Sequence, residues 1–240
     1  MAINVNALNP RLADRRLYLV AAAMFPLLVL IGYARTYYFS SFFDVKPLAN
    51  ALVHAHAVVM SAWVAFFSAQ VFLIRTKNIK LHMTMGWVGV ALAALVVVVG
   101  MVTAYDAHLV RKTAPPGLDP HGFFAVPLFS MTTFVILFAG AIYYRKRPAE
   151  HKSLMLLTAF NFLPPALARM SFVPPQFILL WADGATDLLA LTAFGWYTWR
   201  HRKINWIFAG GLLLVIATQV VNLLLPASQA WIDLVATFAP

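Results

Sequence analysis

ALVHAHAVVMSAWVAFFSAQVFLI, residues 51–74, contains no Asp, Glu, Lys or Arg; RTKNIKL, 75–81, brings Arg75, Lys77 and Lys80; HMTMGWVGVALAALVVVVGMVTA, 82–104, is again free of all four. At 1.5 Å rise per residue, each uncharged run is long enough to cross a hydrocarbon core ~30 Å thick. The short basic stretch between them is a turn. Backbone polar groups in lipid must be satisfied within the segment, so the runs read as two helices forming a transmembrane hairpin.

The same pattern extends over the chain. Of 240 residues, 62% are hydrophobic and only 11% charged, with a mean hydropathy of +0.78. A soluble domain carries nearer ~25% charged residues. Seven apolar segments recur, at 17–34, 51–74, 82–104, 122–144, 151–170, 176–199 and 204–225. They predict an all-α integral membrane bundle of seven helices in a single domain, with no internal repeat. Pro26 and Pro164-Pro165 fall within spans, where they kink helices but are tolerated. The first run is too long for a signal-peptide core and lacks a cleavage site, so it is expected to remain as a helix. There is no cysteine, which excludes disulfides, thiolate metal sites, iron–sulfur clusters and covalent haem attachment.

The formal charge of +10 suggests nucleic acid until the charges are located. Arg11, Arg15, Arg16, Arg75, Lys77, Lys80, Arg145, Lys146, Arg147, Lys152, Arg200, Arg202 and Lys203 all fall on one side of the seven-span scheme. Arg35, Lys46, Arg111, Lys112 and Arg169 fall on the other, with most of the acids. Basic residues in tight interhelical turns record topology and leave no nucleic-acid surface. The positive-inside rule then places the N-terminus in the cytoplasm and the C-terminus outside, in a bacterial inner membrane. Outside, 36–50 reads as an aromatic interfacial belt, 105–121 as a Pro-rich cap without helix, and 228–238 as a short interfacial helix with Trp231, Leu234 and Phe238 toward lipid.

Ionisable groups at spans are the candidates for chemistry. His54, His56 and His121 lie at the outer ends of spans two and four; His82 and His151 open spans three and five at the inner end. His108 and His201 read as solvated. Imidazoles from different helices suit a b-type haem, gripped from both faces. Two such haems would carry electrons across the bilayer. His82, Gly86, Gly89 and Ala93 share one helix face, a stripe able to seat a flat ring or to permit close helix packing. His54 and His56 stand about 200° apart on a regular helix, so one site cannot use both.

The segment KLHMTMGW, with His82 heading a helix after a basic turn, resembles the K/R-x-H-x-x-x-G pattern of the cytochrome b561 family. The alternation of histidines over spans two to five is similar to that family too. The resemblance implies electron transfer through two bis-histidine haems. One would be held by His56 (or His54) with His121 outside, the other by His82 with His151 inside. His121, directly after Pro120, and His151, after RPAE, lie shallower than that pattern places its ligands. The chain also resembles a group of bacterial seven-helix proteins sharing HxH…AW, LHxxxGW and HKxLML segments, which implies a fold without an activity.

Asp183 and Asp187, four residues apart in span six, share a face. Arg169 is their expected cationic partner, with Asn161, Gln219 and Asn222 adding hydrogen-bonding groups. With a quinone or haem nearby, Asp183, Asp187 and Arg169 would handle protons or a polar ligand. A second class is a zinc-dependent hydrolase of lipid amides or esters, with His56 or His54, His121 and Asp183 on the metal. It resembles the ceramidase-like and adiponectin-receptor-like proteins but lacks their histidine pair on the last helix. A third is a transporter or a structural subunit of a larger membrane complex. A rhodopsin would need a lysine in span seven, and none is present. Glycine-rich phosphate loops, HExxH and serine elbows are missing as well.

Overall fold

A computed structural model describes residues 10–170, 172–174 and 177–240, with side chains from residue 16 onward. The side chains of Arg11 and Arg15, and Gln176 at the start of the sixth predicted span, lie outside the described residues. The elements are α1 (Pro10–Tyr33), α2 (Ala51–Arg75), α3 (Ile79–Tyr105), α4 (Pro120–Phe123), α5 (Ala125–Tyr143), α6 (Pro148–Asn161), α7 (Pro164–Leu167), α8 (Ile178–His201), α9 (Trp206–Leu224) and α10 (Gln229–Ala236). Among the described residues there is no strand.

Six stretches are helical, long and apolar enough to cross a membrane: Arg16–Tyr38, Ala51–Arg75, Ile79–Val110, Pro120–Tyr143, Ile178–His201 and Trp206–Ala227. The expected fifth span, 151–170, is not among them. It is divided into α6 and α7, because Pro164 and Pro165 have no N–H to continue the ladder. The turn between them is closed by Phe162 N–H to Ala159 O and Leu163 N–H to Phe160 O. α6 is also the most enclosed element: Ser153, Leu154 and every residue from Leu156 to Asn161 are buried. Its Ser, Thr and Asn content lowers its hydropathy for the same reason that it sits centrally. In lipid the exterior is as apolar as leucine, so polar side chains gather inside.

The basic turns gather at one end of the bundle. The α2–α3 turn is a Schellman cap: Asn78 N–H bonds Leu73 O at 2.8 Å and Lys77 N–H bonds Ile74 O at 3.1 Å. Lys77 sits at φ 63 and Arg202, in the α8–α9 turn, at φ 50. Both occupy the left-handed position where glycine is the usual choice. Charge is placed here at a conformational cost.

The opposite, loop end is built from irregular pieces. α1 runs into a π-helical turn, Ala34–Tyr38, and α3 into another, Asp106–Val110. Asp106 accepts from Arg111 Nε at 2.7 Å and from Asn50 Nδ2 at 3.0 Å, while Asn50 Oδ1 caps α2 through Val53 N–H. The expected helix-free cap over 105–121 is therefore helical to Val110. The tail is helical as expected, yet Trp231 does not face lipid. Its Nε1–H donates to Gly122 O at 3.1 Å and its ring lies 6.0 Å from Phe129, whereas Leu234 and Phe238 are exposed.

Candidate functional site

His82 and His151 meet at the basic end. His82 stands in the first turn of α3, its N–H on Asn78 O, and His151 in the first turn of α6, its N–H on Arg147 O. The α2–α3 and α5–α6 hairpins lie side by side, which brings the ring centres to 6.4 Å at 76° between planes. His151 Nδ1 lies 2.8 Å from Ala141 O. That carbonyl can only accept, so Nδ1 carries a proton and Nε2 is the nitrogen left for a ligand. His82 Nδ1 and Gln70 Oε1 are buried without a hydrogen-bond partner. A Cβ at Gly86, one turn along from His82, would meet nothing within 4 Å, whereas one at Gly89 would stand 2.7 Å from the Phe66 ring. Gly89 thus serves close packing of α3 on α2, and only Gly86 leaves space beside the pair.

The loop-end histidines are dispersed. His54 is exposed and its Nδ1 lies 3.1 Å from the Tyr37 hydroxyl. His56 turns inward, with Nδ1 buried and unpartnered, as their angular separation requires. His121 stands on α4, which packs against α10 and the π-helical turn Asp106–Val110, and its Nε2 is likewise buried without a partner. Among the described residues no ring contact joins His121 to His54 or His56. His108 is no solvated loop residue: Nδ1 lies 2.6 Å from Thr113 O and the ring packs on Phe123. His201 stacks on Tyr197, 4.3 Å between centres.

A polar layer crosses the bundle between these ends. Asp187 on α8 faces Gln219 on α9, which is only 8% exposed. With its nitrogen turned to the carboxylate, the Gln219 amide donates to Oδ2 at 3.0 Å and to Oδ1 at 2.5 Å. The Thr133 and Thr218 hydroxyls bond at 2.5 Å. Asn161 Nδ2 donates to Ser130 O at 2.9 Å, and Asn222 Nδ2 to Ser130 Oγ at 3.1 Å. Asp183 stands one turn nearer the loop end. The expected Arg169–Asp183 ion pair is not formed: Arg169 is exposed, donates to Pro165 O at 2.6 Å and stacks over Tyr33 at 4.6 Å. Its guanidinium is taken up by Tyr33 of α1 and by the carbonyl of the preceding turn.

Ser130, Thr133, Thr218 and Gln70 were not singled out from sequence. The available signal was hydroxyl or amide groups inside otherwise apolar spans, three to four residues apart on α5 and α9. Among the described residues no three His, Asp or Glu side chains form a group that could hold a metal ion. No family model, curated protein or solved structure matches the chain.

Proposed function

We propose that the protein is an electron carrier of the bacterial inner membrane, holding a b-type haem between His82 and His151 at its cytoplasmic end. The observation that carries this reading is the convergence of those two imidazoles. Two imidazoles on one metal, each at ~2.0–2.1 Å metal–nitrogen distance, stand with centres on the order of 6 Å apart, and this pair is separated by 6.4 Å. The unpartnered His82 Nδ1, the Nε2 of His151 and the open space at Gly86 also fit such a group. When bound, a haem supplies one-electron chemistry. Ala141 O orients His151, and the basic turns hold both rings at the membrane face.

The basic turns support cytoplasmic placement of that end by the positive-inside rule. In this reading α6 and α7 together complete a seventh crossing, from the α5–α6 turn to the contact of α7 with α1, so the C-terminus lies outside. One haem is proposed, at the end where two imidazole rings meet; among the described residues no ring contact joins His56 to His121. A quinone or another redox protein would exchange the electron.

Protein purified after expression with ample haem supply is expected to show a Soret band that sharpens on dithionite reduction, with α and β bands appearing. His82→Ala and His151→Ala should each remove it, while His54→Ala and His121→Ala should not. A colourless preparation refutes the reading. Stoichiometric zinc in elemental analysis would then favour the hydrolase class, and neither metal nor haem a transporter or structural subunit.

A further inference from the structure

The polar layer supports a second activity, independent of the histidine pair. We propose that Asp187 and Gln219 form a proton-binding site inside the membrane-spanning part of the bundle, filled from the loop end by way of Asp183. A carboxylate with no cation beside it is costly in this setting, and a neutral acid needs an acceptor for its O–H. The Gln219 amide serves both states. Its N–H₂ donates to the carboxylate; turned by half a rotation, its carbonyl oxygen accepts from the acid. In either orientation a Gln219 amide atom stands against the Asp187 carboxyl oxygens, so one site holds both states. A hydronium ion in the water at the loop end supplies the proton: one of its O–H bonds breaks, one forms on an Asp187 oxygen, a neutral water is left behind, and no electrons move.

Among the described residues no ion pair involves Asp187; α5, packed on α9, contributes Ser130 and Thr133 and contains no Asp, Glu, Lys or Arg. α9 contributes Thr218, Gln219 and Asn222 and contains no Asp, Glu, Lys or Arg. α6 contributes Asn161, while its Glu150, His151 and Lys152 lie at the basic end. α1 brings Arg16 and Tyr18 at the basic end and Tyr33 at the loop end. After α7, Arg169 is engaged with Pro165 O and Tyr33. On α8 itself Asp183 is one turn away, and Tyr197, Arg200 and His201 lie at the far end. Asp183 is the only titratable group between Asp187 and the loop end of α8, which makes it the entry point.

Infrared difference spectroscopy of the full chain in lipid nanodiscs tests this. The expected result is a carboxylic-acid carbonyl band that titrates with pH, shifts in D₂O and disappears in Asp187→Asn. Gln219→Leu should retain the band at a changed frequency, because the acid loses its acceptor. Asp187→Glu should retain a titrating band at a new frequency, which ties the signal to this position even where the asparagine variant does not fold. Asp183→Asn should leave the band and slow its appearance after a pH jump applied from the loop side. A wild-type protein without a titrating band, a band that survives Asp187→Asn, or a frequency indifferent to both Gln219→Leu and Asp187→Glu overturns the proposal.

Discussion

Gly32→Ala is the sharpest test of how the broken α6–α7 segment is held. Gly32 lies in the last turn of α1, directly against α7. A Cβ built there would stand 2.7 Å from the carbonyl carbon and 2.8 Å from the Cα of Ala166, and closer still to the carbonyl oxygen. Ordinary contact begins near 3.4 Å, and the obstacle is backbone, which cannot swing aside as a side chain does. α1 and α7 must therefore separate, and Arg169 over Tyr33 and Trp181 Nε1–H on Leu167 O depend on their positions. Overpacking of this kind costs ~1–3 kcal/mol, and an immovable neighbour places it at the upper end. For a chain of this size that corresponds to a fall in Tm of roughly 5–10 °C. The internal comparison is Gly195→Ala in α8, where the new Cβ meets nothing within 4 Å and gains up to ~1 kcal/mol of helix propensity. Thermal melts in one detergent, read by tryptophan fluorescence, should rank Gly195→Ala at or above the parent and Gly32→Ala well below it. Equal melting of parent and Gly32→Ala would refute the claimed α1–α7 contact.

Three further outcomes are expected. A double-mutant cycle of Thr133→Val and Thr218→Val should give a coupling energy of ~0.6 kcal/mol, the scale of interhelical hydrogen bonds in bilayers, measured by unfolding in mixed micelles. Lys77→Gly and Arg202→Gly should each raise stability by up to about 1 kcal/mol, since glycine takes the left-handed conformation without a Cβ penalty; chemical denaturation checks both, and topology mapping of the Lys77 variant shows what the charge contributes. Trp231→Ala should free α10 from Gly122 and Phe129, seen as faster protease clipping near Ser228 with the melting of the bundle little changed.

How much of this was legible in the sequence depends on which physical rule governs each part. Helix-length apolar runs with charged turns follow from solvation alone, so α2, α3, α8 and α9 fall close to their predicted bounds. His82 and His151 are legible because each follows a short basic turn and opens a helix. The turn fixes which end it occupies, and adjacent hairpins bring the first turns together. The break at Asn161 was half-legible. Pro164-Pro165 announced a kink, but whether a dipeptide bends a helix or divides it depends on the neighbour that accepts the freed geometry, here Gly32 of α1. The sequence marks Gln219 as polar without pairing it to Asp187, and opposite charge points instead to an Arg169–Asp183 ion pair. Arg169 is engaged by Pro165 O and the Tyr33 ring, and that pair is not formed.

The contrast between the two ends explains why the rings of His82 and His151 meet while, among the described residues, no ring contact joins His56 to His121. At the basic end each connection is a few residues long, so the rings of His82 and His151 are placed by helical register alone, and an error of one residue would rotate either by about 100°. At the loop end His121 follows a π-helical turn, an irregular stretch and Pro120, and stands on a helix of a single turn held by α10. Its position is set by that packing, which no periodicity in the sequence encodes. The polar layer lies within continuous helices again, where register rules return: Thr218, Gln219 and Asn222 share one face of α9, as Asp183 and Asp187 share one of α8. The chemistry proposed for this protein therefore falls where helical register fixes side chains most tightly, at the short-turn end and in the helical interior.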